Sequence, residues 1–446
     1  MGMEELKQFF MKEEIMSENV RLLTGCTMLD ILLGGEKNTF GAVYGDTIGI
    51  QGASTAGKTF VLNEIMAYNR LKYSDRFKWI KDDIERGDKF DTVKMYGVEL
   101  TSKGHHLSGK LPNKTGPGTK NVDITFDHSD TCEEMDAHLS LFLSSLKQND
   151  IAIYSIDSLD ALSSAQDTEV SEERFRKLNE GKEIVDAGSY NMDKQRFLAN
   201  FFREKAGPLR DKKCSLVMTM QEKEKMSAGG MAVKGTSNGQ STKFYCDIML
   251  DLKCISKITA YNSETGKSEQ IGARIQATTR NKARCSRPGR IVNYVVYFSQ
   301  GIDNVGSNID YLFNTEYNFD MDAEKLAQYP VCWGGAMPTL QKIKEWLETN
   351  NYSEIYKDWM RAKGERAMVN TDAVYEWAHS EGIDEAIKTN YDSVFGKRMT
   401  RQELRDLCYS NKEERNKLKE LVIAKWEAKE DAMLAQVGFT KSFDID

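Results

Sequence analysis

Gly52-Ala53-Ser54-Thr55-Ala56-Gly57-Lys58-Thr59 is the stretch that decides the fold. It satisfies G-x-x-x-x-G-K-[ST], the spacing of a loop that wraps phosphate groups. Gly52 and Gly57 remove the side chains that would stop the backbone from curling around an anion. Lys58 supplies a compact positive charge for the β- and γ-phosphates, and Thr59 supplies a hydroxyl for Mg²⁺. The flanks agree. Asp46-Thr47-Ile48-Gly49-Ile50-Gln51 reads as a short strand entering the loop, and Phe60–Met66 has the apolar spacing of a helix leaving it. Strand, loop and helix together are the setting in which this motif binds a nucleoside triphosphate. ATP and Mg²⁺ are therefore the expected cofactors, held by residues Gly52 to Thr59.

The chain of 446 residues is long enough for a large core and two domains, or one domain with an appendage. It is 40% hydrophobic and 29% charged, an ordinary globular balance. Lacking 18 consecutive apolar residues, the sequence predicts no membrane span. The N-terminus shows neither the basic flank nor the apolar block of a secretory signal, so a cytoplasmic location is expected. Eight scattered cysteines include no C-x-x-C pair and read as reduced, hydrophobe-like thiols. The net charge of −7 neither demands nor forbids a nucleic-acid partner, because local patches outweigh the total.

Residues 1–21 read as a separate helix, with Leu6, Phe9, Phe10 and Met16 on one side, suited to packing on the protein's own core or on a neighbouring protomer. Strands are expected at Ile48–Gln51, Val93–Gly97, Val122–Thr125, Ile151–Ile156 and Ser215–Met220, with helices such as Thr131–Lys147 and Gln195–Arg203 between them. This alternation predicts an α/β fold with a mostly parallel twisted sheet. Three more strands, Ile248–Lys253, Ala273–Thr279 and Ile291–Ser299, read as an antiparallel extension. Lys103–Asn121 and Ser227–Gly239 read as glycine-rich loops, and His105-His106 as part of the first loop. From about residue 316 the pattern turns helical, at Pro338–Thr349, Tyr352–Ala362, Thr371–Ser380 and Thr400–Ala435.

A phosphate loop needs an acid on a neighbouring strand to hold the metal's water shell, and Asp157, at the end of an apolar strand, fits. Thr59 and Asp157 are the expected metal residues. Hydrolysis needs a carboxylate to orient water. Glu99 is the candidate, following the strand expected at Val93–Gly97 at the carboxyl edge, where open α/β sheets bind ligands.

The order of these pieces resembles the RecA family of recombinases, including its bacteriophage members. Leu23-Thr24-Gly25-Cys26-Thr27-Met28-Leu29-Asp30 with Gly34-Gly35 is similar to the family's lead-in, and Asp157-Ser158 to its second acidic motif. Lys243-Phe244-Tyr245 and Arg280-Asn281-Lys282 resemble two later motifs, and the likeness covers roughly residues 22–315. It implies a RecA-like P-loop ATPase core at 22–315 and leaves 316–446 as a helical C-terminal domain. It implies Glu99, Lys58 and Gln221 as catalytic residues, Gln221 passing the state of the γ-phosphate to a DNA-binding loop. Arg280 and Lys282 would complete the ATP site of an adjacent protomer, in a helical homo-oligomer.

The same likeness implies single-stranded and duplex DNA as partners, with single-strand-binding or loader proteins as accessories. Lys223, Lys225, Met226, Gly229, Gly230, Met231, Lys234 and Lys243 are the expected DNA-binding residues, cations for phosphate and glycines for close approach. Residues Arg280 to Arg290 hold five cations and no acid. The loop between Gln221 and Lys243 has no aromatic residue, and Ser163–Asp193 is a long segment of mixed charge, both departures from the family pattern. The leading expectation is an ATP-dependent recombinase that forms filaments on single-stranded DNA and exchanges strands. A ring helicase-like motor and an ATP-binding filament scaffold are the alternatives.

Overall fold

The computed structural model describes residues 20–34, 39–87, 89–101, 103–112, 119–166, 169, 176, 192–226, 232–236, 242, 244–279, 289–315, 323–328, 330–332, 340–363, 371–383, 395 and 399–435. The helix expected at 1–21 and most of 163–193 lie outside them. The chain divides into two compact units, residues 1–257 with 270–304, and residues 258–269 with 305–446.

The first unit begins with β1 (Arg21–Leu22), α1 (Thr27–Gly34) and β2 (Ala42–Val43), the two strands pairing antiparallel. The lead-in motif has a local physical meaning. Asp30 accepts hydrogen bonds from both the backbone N–H of Thr24 (2.6 Å) and its hydroxyl (2.8 Å), closing the turn before α1. Gly25 sits at φ +79°, and a Cβ there would lie 2.6 Å from the Tyr68 ring.

Next come β3 (Thr47–Gly52), α2 (Lys58–Tyr73), β4 (Phe77–Asp83), α3 (Thr92–Tyr96), β5 (His105–Pro112), β6 (Thr119–Phe126), α4 (Cys132–Ser145) and β7 (Ile151–Asp157). They are followed by α5 (Met192–Asp211), β8 (Cys214–Met226), β9 (Ala232–Thr236), β10 (Ile248–Asn262), β11 (Lys267–Thr279), β12 (Ile291–Tyr297) and β13 (Gly301–Ile302). The main sheet has the order β13-β12-β11-β10-β3-β8-β7-β4. The pairs β10/β3, β3/β8, β8/β7 and β7/β4 are parallel. The pairs β11/β12 and β12/β13 are antiparallel, and β9 pairs antiparallel with β8 off this path. The fold is α/β, with a mostly parallel sheet.

Every residue of β3 and β7 is buried, as expected of parallel strands covered on both faces. Alternation sorts the two faces. Tyr154 and Ile156 of β7 join a core with Met135, Leu139 and Phe142 of α4 and Leu198, Phe201 and Phe202 of α5. Ser155, between them, reaches Met66 of α2 at 3.3 Å.

Four sequence expectations are corrected here. Val93–Gly97 is not a strand: α3 starts where the Asp91 carboxylate accepts the Lys94 N–H (2.9 Å) and ends at Gly97 in the left-handed region. The strand is instead β4, at Phe77–Asp83. The loop expected at Lys103–Asn121 is largely a hairpin, with β5 paired to β6 from His105↔Phe126 to Pro112↔Thr119. His105 is thus in a strand, its Nε2 3.1 Å from the Lys81 carbonyl. Ser227–Gly239 contains β9, paired with β8 from Glu222↔Thr236 to Met226↔Ala232.

The second unit holds residues 258–269, where β10 turns into β11, together with a set of helices. Its elements are α6 (Asn304–Leu312), α7 (Ala323–Gln328), β14 (Pro330–Cys332), α8 (Leu340–Thr349), α9 (Ser353–Lys363), α10 (Thr371–Ser380), β15 (Met399–Thr400), α11 (Arg401–Ser410) and α12 (Lys412–Ala435). Thr400–Ala435 is two helices rather than one, because the Asn411 side chain accepts the Glu413 N–H (2.9 Å) and starts a new one. Ile343, Leu347, Tyr356, Val374 and Trp377 form a core across α8, α9 and α10. Arg401 and Asp310 make a two-pronged buried ion pair at 2.8 and 3.1 Å.

Candidate functional site

Strand register assembles the site. Gly52, the last residue of β3, lies beside Leu252 of β10 and Gln221 of β8. Asp157, the last residue of β7, lies beside Asp83 of β4. The carboxyl ends of four neighbouring parallel strands, β3, β8, β7 and β4, therefore deliver Gly52, Gln221, Asp157 and Asp83 to one edge. A cleft of about 430 Å³ opens there. Ser54, Thr55, Gly57, Lys58 and Thr59 line it from the loop, with Asp157, Glu85 and Gln221 beside them.

The loop has the shape of an anion cradle. Gly57 sits at φ +80°, and a Cβ on Gly52 would lie 2.6 Å from the Leu252 carbonyl oxygen, so both glycines are required by the backbone. Ala53, Ser54 and Thr55 are exposed, whereas Ala56 is buried. Lys58 donates to the carbonyls of Gly52 (3.1 Å) and Ala53 (2.9 Å). Burial lowers its pKa, opposed by the charges of Asp157, Glu85 and Asp160. This is a mostly buried cation facing three acids, and it fits a polyphosphate.

Thr59 donates its hydroxyl to one Asp157 oxygen at 2.8 Å, and Thr219 donates to the other. Burial raises the Asp157 pKa, the two hydroxyls lower it, and Glu85 raises it again. Thr59 and Asp157 are thus in direct contact, which fits a metal held by the hydroxyl and, through water, the carboxylate.

Glu99, the sequence candidate for the hydrolytic carboxylate, follows α3 and does not line the cleft. Glu85 does. It lies two residues past β4, where the Ser158 hydroxyl donates to its Oε1 and the Gln221 side-chain amide donates to the same oxygen at 3.1 Å. Sequence reasoning missed it because β4 was missed. Lys81 was missed too. Fully buried on β4, it donates to Asn63 of α2 at 2.7 Å. Burial pushes its pKa down to about 8 against the pull of Asp157 and Asp83.

The other end of the cleft is apolar. Phe60 of α2, Phe90, and Phe298 after β12 stand with Ala273, Ile275 and Val296. The Phe60 ring stacks on Phe298 at 6.2 Å and meets Phe90 at 4.8 Å. No sequence motif pointed to Phe90 or Phe298.

Of the residues expected to touch DNA, Lys223, Lys225 and Met226 belong to β8, opposite Gly235, Val233 and Ala232 of β9, and Lys234 of β9 is opposite Glu224. Gly229, Gly230, Met231 and Lys243 lie outside the described residues, as do Arg280 and Lys282. No helix among the described residues is long and apolar enough to cross a membrane.

No family model matches the sequence. The chain is similar to Protein RecA of Rhodopirellula baltica, 26% identical over 289 residues, covering 64% of this chain and 63% of that protein. It is also similar to Protein RecA of Trichodesmium erythraeum, 26% identical over 132 residues, 29% of this chain and 35% of that protein. The crystal structure of the RadB recombinase aligns with 63% of this chain and 98% of its own, at 15% identity and a TM-score of 0.37. The match to the first relative thus spans less than two thirds of that protein's length. The two RecA likenesses accompany the phosphate loop, the lead-in turn and the parallel sheet that carries them, and the longer makes the chain similar to a RecA protein over 64% of its length.

Proposed function

We propose that the chain is a DNA-dependent ATPase of the recombinase kind, which assembles on single-stranded DNA and promotes homologous pairing and strand exchange. The observation that carries this reading is the convergence of Lys58, Thr59, Asp157, Glu85 and Gln221 on one cleft. Lys58 and the loop N–H groups hold the phosphates, while Thr59 and Asp157 hold Mg²⁺. ATP with Mg²⁺ supplies the transferable phosphoryl group and part of its neutralising charge. Phe90 and Phe298 bound the end of the cleft that suits a base.

Glu85 takes the part first considered for Glu99. As a carboxylate it orients a water and accepts its proton. Gln221, bonded to Glu85 on one side and continuous with the β8/β9 hairpin on the other, relates the ATP site to the segment expected to hold DNA. Arg280 and Lys282, with Lys223, Lys225, Met226, Gly229, Gly230, Met231, Lys234 and Lys243, keep their proposed roles at the neighbouring site and on DNA.

The test is the ATPase rate of the full chain with and without single-stranded DNA, together with imaging. Stimulation by DNA and filaments are the expected results. Turnover unaffected by DNA, with closed rings in the images, favours a helicase-like motor. ATP binding with filaments but no turnover favours a scaffold.

A further inference from the structure

A hydrogen-bonded chain runs from α5 to Glu85 and uses two residues that no motif singled out, Lys194 and Asp160. Lys194 lies in the first turn of α5, only 6% exposed. A cation there opposes the helix dipole and loses its hydration. Its ammonium has three N–H donors, and the structure supplies three carbonyls: Leu159 at 2.9 Å, Asp160 at 3.2 Å and Leu162 at 2.7 Å. All three belong to the short turn that follows Asp157-Ser158. The lysine therefore ties that turn to α5.

Asp160 extends the tie to β8. Its Oδ2 accepts the backbone N–H of Gln221 at 2.6 Å, a short charge-assisted bond. This fixes the backbone at the point where β8 runs past the phosphate loop. The Gln221 side chain then reaches Glu85 Oε1 at 3.1 Å, the oxygen that Ser158 also touches. The path is thus Lys194, the 159–162 turn, the Asp160 carboxylate, the Gln221 backbone, the Gln221 amide and Glu85, each step a direct bond.

We infer that Lys194 and Asp160 are positioning residues that set the placement of Gln221, and through it the orientation of Glu85 during ATP hydrolysis. They form a latch joining the segment after β7 to β8, the strand beside the phosphate loop. The inference rests on the ATPase reading above and adds to it the elements that control its hydrolytic carboxylate. Neither residue needs to touch the nucleotide, so their loss should act on turnover rather than on ATP binding.

The experiment is steady-state ATPase kinetics of the full chain with single-stranded DNA, for Asp160→Ala, Asp160→Asn, Lys194→Met, Gln221→Ala and the double variant Asp160→Ala/Gln221→Ala. Asp160→Ala and Lys194→Met should lower kcat by roughly 3- to 30-fold, with KM for ATP unchanged within about twofold. Asp160→Asn keeps an acceptor oxygen, guards against a folding defect in the alanine variant, and should recover most of the loss. Once Gln221 is already alanine, adding Asp160→Ala should cost nothing further. An unchanged kcat in Asp160→Ala overturns the latch, as does a full additional loss in the double variant or a loss confined to KM. A wild-type chain with no turnover overturns the ATPase reading and the latch with it, whereas an active wild type with indifferent Asp160 variants overturns the latch alone.

Discussion

The two ends of the cleft are built in opposite ways. The phosphate end is made by backbone and register: four parallel strands finish at one edge, and Gly52, Gln221, Asp157 and Asp83 arrive there together. The apolar end is made by side chains alone, Phe60, Phe90 and Phe298, from three separated segments. The first kind of site is rigid because moving one group means breaking the sheet. The second kind tolerates exchange of one hydrophobe for another, since packing asks mainly for volume. Catalysis should therefore depend on the first end and affinity on the second.

Four substitutions bear on that division. Lys58→Ala should bring ATP turnover down to background, because Lys58 is the one cation of the Gly52–Thr59 loop; retained turnover by phosphate release would remove the assigned site. Glu85→Gln should reduce kcat by about 10²-fold or more while nucleotide still binds. Glu99→Gln, measured in parallel, should stay within about twofold. A reversal of that pair would return the hydrolytic role to Glu99 and break the register argument. Phe298→Ala should raise KM for ATP by roughly 5- to 10-fold with kcat little changed, the scale of one lost base–aromatic contact. A fall in kcat without a change in KM would show that the two ends are not separable.

The smallest effect concerns Glu64, on the same helix as Lys58 and Phe60. Its Oε1 accepts the Ile302 N–H at 2.6 Å, and burial raises its pKa from 4.5 to about 8. A raised carboxyl is held protonated by the fold, so its contribution to stability is full below about pH 4.5. That contribution is lost as pH rises through about 8. Denaturant midpoints at pH 5 and pH 8 should therefore differ less in Glu64→Gln than in the wild type. An equal difference in both would mean that the carboxyl does not titrate in this window.

How much of this could be read beforehand follows the same division. The phosphate loop is local, eight consecutive residues whose demands are all their own. Asp157 was legible because β7 is an apolar run, interrupted by Ser155 alone, that ends on it. Glu85 was not, because the strand before it reads Phe77-Lys78-Trp79-Ile80-Lys81-Asp82-Asp83 and its charges look solvated. Lys78 is exposed, but Lys81, Asp82 and Asp83 are buried, and the partners of Lys81 and Asp82 are far away in sequence. Lys81 bonds Asn63, and Asp82 accepts from the Ser129 N–H at 2.8 Å, the Ser129 hydroxyl at 2.6 Å and the Tyr154 hydroxyl at 2.8 Å. A charged strand is affordable when such bonds satisfy it, and local pattern cannot show them. The β5/β6 hairpin was hidden for a related reason, its glycine and lysines reading as a loop while Leu107, Val122 and Ile124 pack against α4 and the neighbouring core. The loop, Asp157 and Gln221, each named from the sequence, line one cleft, whereas the approach of Glu85 to them depends on the sheet.

The second compact unit is not one continuous length of polypeptide. It combines 258–269, from the turn between β10 and β11, with 305–446. Anyone dividing the gene after residue 304 would therefore not obtain that unit whole, because twelve of its residues stay with the N-terminal piece. A C-terminal fragment starting at 305 lacks them, so a loss of ATPase activity on truncation there would not isolate the contribution of the helices. Substitutions within the intact chain, or exchange of the 258–269 turn by itself, are the cleaner dissection.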